Sequence, residues 1–240
     1  MLSIDEASSY GYVNILQWWE DKFIKSNFHM SLDYTHNAID LASSNGHIEV
    51  LNWWKKLRSD YGLSMEYTWN AIDNASNNGH IIVLYWWLYN TTPYTDLEFK
   101  YSVNAVDFAS INGNIDVLDN WGDCNKFRSI LLYSEAAIDG ASANGHDSVL
   151  NWWLIQSSRV KPKLQLKYTR NAIENAVFNG HIHILNWWEQ SGLPMKYTKH
   201  VINYASANAD IVMLNWWKNS NHNLIYTNSA INWAMDWTNY

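Results

Sequence analysis

The sequence predicts an all-α fold, built as an α-solenoid of stacked helix-turn-helix repeats. One segment, Asn37 to Trp54, recurs along nearly the whole chain of 240 residues. Each copy holds two helix-length stretches separated by an Asn-Gly step, which is typical of a helix end and a turn. The copies recur every 29 to 35 residues, which is the period of helical repeat arrays. We therefore expect one repeat domain over residues 1–240, with seven complete units and a terminal half unit.

Each unit is aligned on one alanine, the anchor alanine, which lies 12 residues before the second Trp of a Trp pair. Length varies only after that pair, so the first half of a unit is expected to be rigid and the second half a loop. The anchor alanines are Ala7, Ala42, Ala75, Ala109, Ala141, Ala176, Ala205 and, in the half unit, Ala234. The second Trp slot holds Trp19, Trp54, Trp87, Trp121, Trp153, Trp188 and Trp217. The first Trp slot holds Trp18, Trp53, Trp86, Asn120, Trp152, Trp187 and Trp216.

Within one unit, the pattern predicts a first helix from Asn37 to Ser44. Thr35 or Asn37 can cap its N-terminus, because both residue types accept hydrogen bonds from the first turn of a helix. The Asn45-Gly46 step then ends this helix, and a second helix begins after His47.

The Trp pair is expected to be core. Burying an indole removes roughly 150–250 Å² from water, which small two-helix units need. On a helical wheel, Trp54 shares the apolar face with Leu51, whereas Trp53 lies beside Glu49 and Asn52. The second slot should therefore be central and the first slot partly exposed. A semi-exposed row of first-slot indoles that binds a ligand is the alternative.

Two sets of polar residues recur once per unit. Neighbouring units stack about 10 Å apart, so one carboxylate or one imidazole per unit cannot converge on a metal ion. We expect the acids to stabilise the N-terminus of their own helix and the histidines to bond the turn backbone. The acids are Asp5, Asp40, Asp73, Asp107, Asp139 and Glu174, followed by Asn203 and Asn232. The histidines are His47, His80, His146 and His181.

Composition excludes several classes of function. There are 23 acidic and 16 basic residues, and the net charge of −7 disfavours nucleic-acid binding. No apolar run approaches the roughly 20 residues of a membrane span, and the N-terminus lacks the basic and apolar regions of a signal peptide. The single cysteine, Cys124, cannot form an internal disulfide. We expect a cytoplasmic, intracellular protein.

The sequence contains no motif of catalysis. Gly-x-Ser-x-Gly, the Walker A pattern and His-Glu-x-x-His are all absent from it. We therefore expect no enzymatic activity, no metal and no cofactor.

The repeat resembles the ankyrin repeat. The resemblance lies in Ala-Ile-Asp-x-Ala-Ser at 38–43, Asn-Gly-His at 45–47 and Val-Leu-x-Trp-Trp at 50–54, and its repetition covers nearly the whole chain. Asp replaces the family's first-helix His, Trp replaces its Leu pair, and the units of 29 residues imply a trimmed or missing β-turn finger. This variant is similar to divergent ankyrin-like arrays of fungi, amoebae and large DNA viruses.

The resemblance implies a non-catalytic protein–protein interaction scaffold or adaptor whose first helices line a concave binding surface. Two first-helix slots vary between units, one residue before and two residues after the anchor alanine, and the helical wheel turns both toward solvent. Large apolar side chains in these slots are candidate partner-binding anchors; packing against loops or an unseen C-terminal segment is the alternative. The candidates are Phe108, Ile111, Phe178, Tyr204 and Trp233.

A second functional hypothesis comes from the ends of the sequence. Neither end shows the polar capping repeat that a solenoid needs. The chain is then a fragment of a longer array, is covered by another protein, or stacks end to end with copies of itself as a filament or virus-particle component.

Overall fold

The computed structural model describes residues 2–91, 97–123, 131–159, 164–228 and 230. Within these ranges there are fourteen helices and no strand, which confirms the predicted all-α stack of two-helix units. The first helices of units 1 to 7 are α1 (Ile4–Ser9), α3 (Asn37–Ser44), α5 (Asn70–Asn77), α7 (Asn104–Ile111), α9 (Ala136–Ala143), α11 (Asn171–Phe178) and α13 (His200–Ala207). The second helices are α2 (Val13–Lys25), α4 (Ile48–Tyr61), α6 (Ile81–Asn90), α8 (Ile115–Asp123), α10 (Asp147–Ser158), α12 (Ile182–Ser191) and α14 (Ile211–Asn219).

Each first helix starts and stops for local reasons. Helix α3 occupies the predicted span, and Gly46 follows it with a φ of 78°, a left-handed conformation that favours glycine. The N-cap residue is His36, whose side chain makes no capping bond. Instead, the Thr35 hydroxyl oxygen accepts the backbone N–H of Asn37 at 3.1 Å, so the predicted Thr supports the helix start from one residue further upstream.

The two helices of a unit stack differently on the next unit. Successive first helices pack closely along the whole array, whereas successive second helices touch only sparsely. Small buried side chains such as Ala38, Ala42 and Ser43 let the first helices approach each other, while the Trp pairs hold the second helices apart. We call the solvent-facing side of the first helices the inner surface. Where the structure describes the connections between units, they contain no strand.

Buried carboxylates join consecutive units. Asp40 of α3 accepts the backbone N–H of Thr68 at 2.9 Å through one oxygen and the Thr68 hydroxyl at 2.6 Å through the other. The Thr68 hydroxyl oxygen then accepts the N–H of Asn70 at the start of α5 at 3.1 Å. One acid therefore fixes the residue that starts the first helix of the next unit. We call this arrangement the carboxylate bridge.

The bridge recurs along the array and adds to the sequence interpretation of the acids: they lie in the first turn of their own helix, as expected, and their oxygens also accept hydrogen bonds from the next unit. The physical reason is that a buried carboxylate needs hydrogen-bond donors, and the next unit supplies two. The equivalent pairs are Asp5 with Thr35, Asp73 with Ser102, Asp107 with Ser134, and Asp139 with Thr169. Glu174 accepts the Thr198 hydroxyl, and Asn203 accepts both bonds from Thr227 through one oxygen.

The second Trp slot is central in units 2 to 7, as predicted: all six indoles are at most 2% exposed. The Trp54 indole N–H donates to the hydroxyl of Ser8 in the preceding unit at 3.3 Å. Trp217 lacks this bond because Val177 stands where the other units have serine. The same bond joins Trp87 to Ser43, Trp121 to Ser76, Trp153 to Ser110, and Trp188 to Ser142.

The prediction of partial exposure for the first Trp slot is wrong in three units. Trp53, Trp86 and Trp152 are all buried, at 5–8% exposure. A wheel drawn on one helix omits the second helix of the preceding unit, which covers these rings. Trp86, for example, donates to Asn52 of that helix at 2.8 Å. Only Trp18 is exposed, while Trp187 and Trp216 are half-buried.

The Asn and His of the turn also point across the unit boundary. The Asn45 side chain donates to the backbone carbonyl of Ser9 at 2.9 Å, which satisfies a carbonyl at the end of the preceding first helix. The histidines were expected to bond the turn backbone. His181 bonds the backbone of Ala143 in the preceding unit, and His47 packs on the preceding unit's Gly11, where a Cβ would lie 2.6 Å from its Nδ1. Glycine is required there by this close approach as well as by its positive φ.

We predict that Asp107→Asn folds with little loss of stability, because Asn203 already fills this slot in unit 7. Asp107→Ala should lower the free energy of unfolding by about 1–3 kcal/mol, since the N–H and hydroxyl of Ser134 lose their acceptor. Urea denaturation of both variants and the wild type measures this. An equal loss in both variants would contradict the bridge.

The pH dependence of the bridge has a defined sign. Burial raises the pKa of Asp107 above its ordinary value, with a smaller upward effect of Glu135, while the bonds from Ser134 and the charge of Lys167 act in the opposite direction. Well below about pH 4, the ordinary pKa of Asp, the carboxyl is protonated in both the folded and the unfolded state, and its favourable contribution is complete. That contribution is lost as the pH rises through the raised pKa of the folded state.

We therefore predict that the stability of the wild type, relative to Asp107→Asn, falls as the pH is raised from about 4 to 7. Burial raises the pKa of Asp73 and Asp139 in the same direction, but both are present in each protein and cancel in the comparison. The measurement is a set of urea titrations at several pH values. A difference that stays flat, or that rises with pH, would show that the Asp107 pKa is not raised.

Candidate functional site

The inner surface carries the two slots that vary between units. Every described residue in them is at least partly exposed, as the helical wheel predicts. The framework residues beside them are buried and engaged in bonds to neighbouring units. These slots can therefore change without disturbing the stack, which makes the inner surface the candidate functional site.

Phe178 and Tyr204 form the largest aromatic feature on this surface. They come from the consecutive first helices α11 and α13, and their ring centroids lie 5.2 Å apart at an interplanar angle of 75°. Phe178 is 54% exposed, and Tyr204 is half-buried. The His200 ring also stacks on Tyr204, with ring centroids 5.5 Å apart and 26° between the ring planes. Phe178 is therefore the exposed member of a cluster of three aromatic rings.

Phe108 and Ile111 form a second apolar cluster, on α7. Both are half-buried, and Ile111 already has a partner in the next unit. A Cβ built on Gly140 would lie 2.3 Å from Cγ1 of Ile111, so the Ile111 side chain fills the space that glycine leaves open. Ile111 therefore contributes to packing between units 4 and 5, while Phe108 retains the less constrained position.

Unit 5 lies between the two clusters. Its variable slots hold only the small residues Gly140 and Ala143. From unit 4 to unit 7 the slots contain no charged residue. The variable slots of units 4 to 7 therefore present a mostly apolar surface with aromatic groups at one side, suited to burying apolar side chains of a partner. The fifth candidate anchor, Trp233, lies outside the described residues.

Within the described ranges, no three His, Cys, Asp or Glu side chains are grouped closely enough to hold a metal ion. The buried bridge acids point into the unit boundaries and not into the inner surface.

The chain matches no model of a known protein family, and no curated protein matches its sequence. Among the helices of the described residues, none has both the length and the apolar character needed to cross a membrane.

We predict that Gly140→Ala destabilises the protein, although alanine normally favours a helix over glycine. The added methyl group would lie 2.3 Å from Cγ1 of Ile111, so the packing between units 4 and 5 must shift to accept it. The double variant Ile111→Ala/Gly140→Ala should recover part of the loss relative to the sum of the single variants, by about 0.5–3 kcal/mol of coupling. Thermal or urea unfolding of the four proteins measures this, and strict additivity would show that the two residues do not interact.

Proposed function

We propose that the protein is a non-catalytic scaffold or adaptor of ankyrin type that binds a protein partner on its inner surface, in the cytoplasm. The observation that carries the proposal is the aromatic cluster of Phe178 and Tyr204, exposed in slots that the framework leaves free. Exposed aromatic anchors on an apolar surface are typical of interaction hot spots. The stacked units with their Asn-Gly-His turns also support the proposed relation to ankyrin arrays.

We expect the triple variant Phe108→Ala/Phe178→Ala/Tyr204→Ala to lose its partner and to keep its helical circular dichroism, because the three side chains are at least partly exposed. The test is a lysate pull-down with wild type and variant, read by mass spectrometry, followed by titration of the purified partner. The matched control is Ile155→Ala/Ile211→Ala/Val212→Ala, which removes exposed apolar groups from second helices. Loss in the control as well, or retention in the triple variant, would refute inner-surface binding.

A second candidate function, end-to-end self-assembly, is favoured by one observation on unit 1. The indole N–H of Trp19 is buried and has no hydrogen-bond partner among the described residues. At the same slot, Trp54 donates to a serine of the preceding unit. A copy stacked on unit 1 would take the place of such a preceding unit. Light scattering over a wide range of concentration tests this: a molar mass that grows with concentration supports assembly, and a constant 28 kDa refutes it.

A further inference from the structure

The boundary between units 3 and 4 differs from the others in the layer of second helices, because the first Trp slot of unit 4 holds no Trp. At three other boundaries the first-slot Trp donates to an asparagine that precedes the Trp pair of the preceding unit, as Trp86 does to Asn52, while Trp53 donates to Glu20 and Trp152 has no partner among the described residues. Trp187 and Trp216 donate to Asn151 and Asn186 in the same way. At the boundary between units 3 and 4, Asn120 of unit 4 occupies the first Trp slot. Tyr85 of unit 3 occupies the position of the acceptor asparagine. Both members of the usual pair are therefore replaced together.

The missing indole leaves a groove of about 420 Å³ between α6 and α8. One wall, from α6, carries Tyr85 and Tyr89, whose rings are nearly parallel, with centroids 6.1 Å apart and 19° between their planes. Both rings are exposed, at 43% and 72%. The α8 wall carries Asp116 and Asp119, also exposed. Ile81, Leu88 and Asn120 complete the lining.

The charge of the groove has one sign. Helices α6 and α8 together contain three aspartates and no Lys, Arg or His. Neither Asp116 nor Asp119 makes a hydrogen bond or ion pair with any described residue, whereas the bridge acids are all satisfied. An anionic ligand would be repelled, while a cation would meet free carboxylates on one side and aromatic faces on the other.

We propose that this groove binds the guanidinium group of an arginine side chain, presented by a basic segment of a protein partner. A planar guanidinium stacks on tyrosine rings and pairs with carboxylates through two N–H donors, so it complements both walls at once. The groove lies on second helices, away from the inner surface. The two sites are therefore independent, and each can fail without the other.

The test uses the full chain and a capped peptide, acetyl-Gly-Arg-Gly-amide, titrated while amide resonances of the ¹⁵N-labelled protein are followed. We expect saturable shifts confined to α6 and α8. The matched peptide with citrulline in place of arginine has the same shape without the charge, and it should bind about tenfold more weakly or not at all. Equal binding of the two peptides, or shifts spread over the whole surface, would overturn the proposal.

The variants fill or neutralise the groove. Asn120→Trp introduces the side chain that other units use at this boundary, and we expect it to abolish binding while the melting temperature is kept or raised. Tyr85→Ala/Tyr89→Ala and Asp116→Asn/Asp119→Asn should each weaken binding about tenfold or more. Asp147→Asn/Glu189→Gln makes the same change in charge on α10 and α12, and it should leave the affinity unchanged.

Three results discriminate further. Retained binding in a folded Asn120→Trp variant would overturn the groove as the site. Tighter binding of spermidine than of the arginine peptide would overturn a protein arginine as its occupant. The Phe178→Ala/Tyr204→Ala variant should bind the peptide as the wild type does, so that failure of the inner surface and failure of the groove remain distinguishable.

Discussion

The carboxylate bridge is the interaction on which the stack depends. A buried acid of one first helix holds the Thr or Ser that starts the first helix of the next unit. A buried carboxylate is costly unless its oxygens are hydrogen-bonded, and in this protein the donors exist only when the next unit is in place. The bridge therefore ties the register of each unit to that of its neighbour, and it does so in the most closely packed layer of the array.

The other recurring hydrogen bonds also join neighbouring units. The indole of the second Trp slot donates to a serine of the preceding unit, and the turn asparagine donates to a carbonyl of that unit. A unit cannot satisfy these groups alone, so stability comes from the interfaces, as expected of quasi-one-dimensional repeats. Because the framework is occupied with these bonds, the two variable slots of the first helix and the outer side of the second helix remain available to a partner.

The two surfaces available for binding differ in chemistry. The inner surface of units 4 to 7 is uncharged in its variable slots and carries the Phe178–Tyr204 cluster. The groove between α6 and α8 is acidic and lined by parallel tyrosines. The inner surface owes its chemistry to the residues in the variable slots, around a framework that is unchanged. The groove arises where the framework itself is altered, at Asn120 and Tyr85. The two proposals together assign the apolar anchors of one partner to the inner surface and an arginine-bearing segment to the groove.

The sequence by itself determined the architecture, because the spacing of Ala42, the Asn45-Gly46 turn and Trp54 encodes helix lengths and a turn within one unit. It also determined which first-helix residues, such as Phe178 and Tyr204, vary and face solvent, since a wheel needs only one helix. Only the tertiary structure decided what lies across a boundary. It assigned Asp40 to the next unit's Thr68, buried Trp53, seated Ile111 on Gly140 and opened the groove beside Asn120. Each depends on a residue about one repeat away, and the periodicity within a single helix carries no information about that distance.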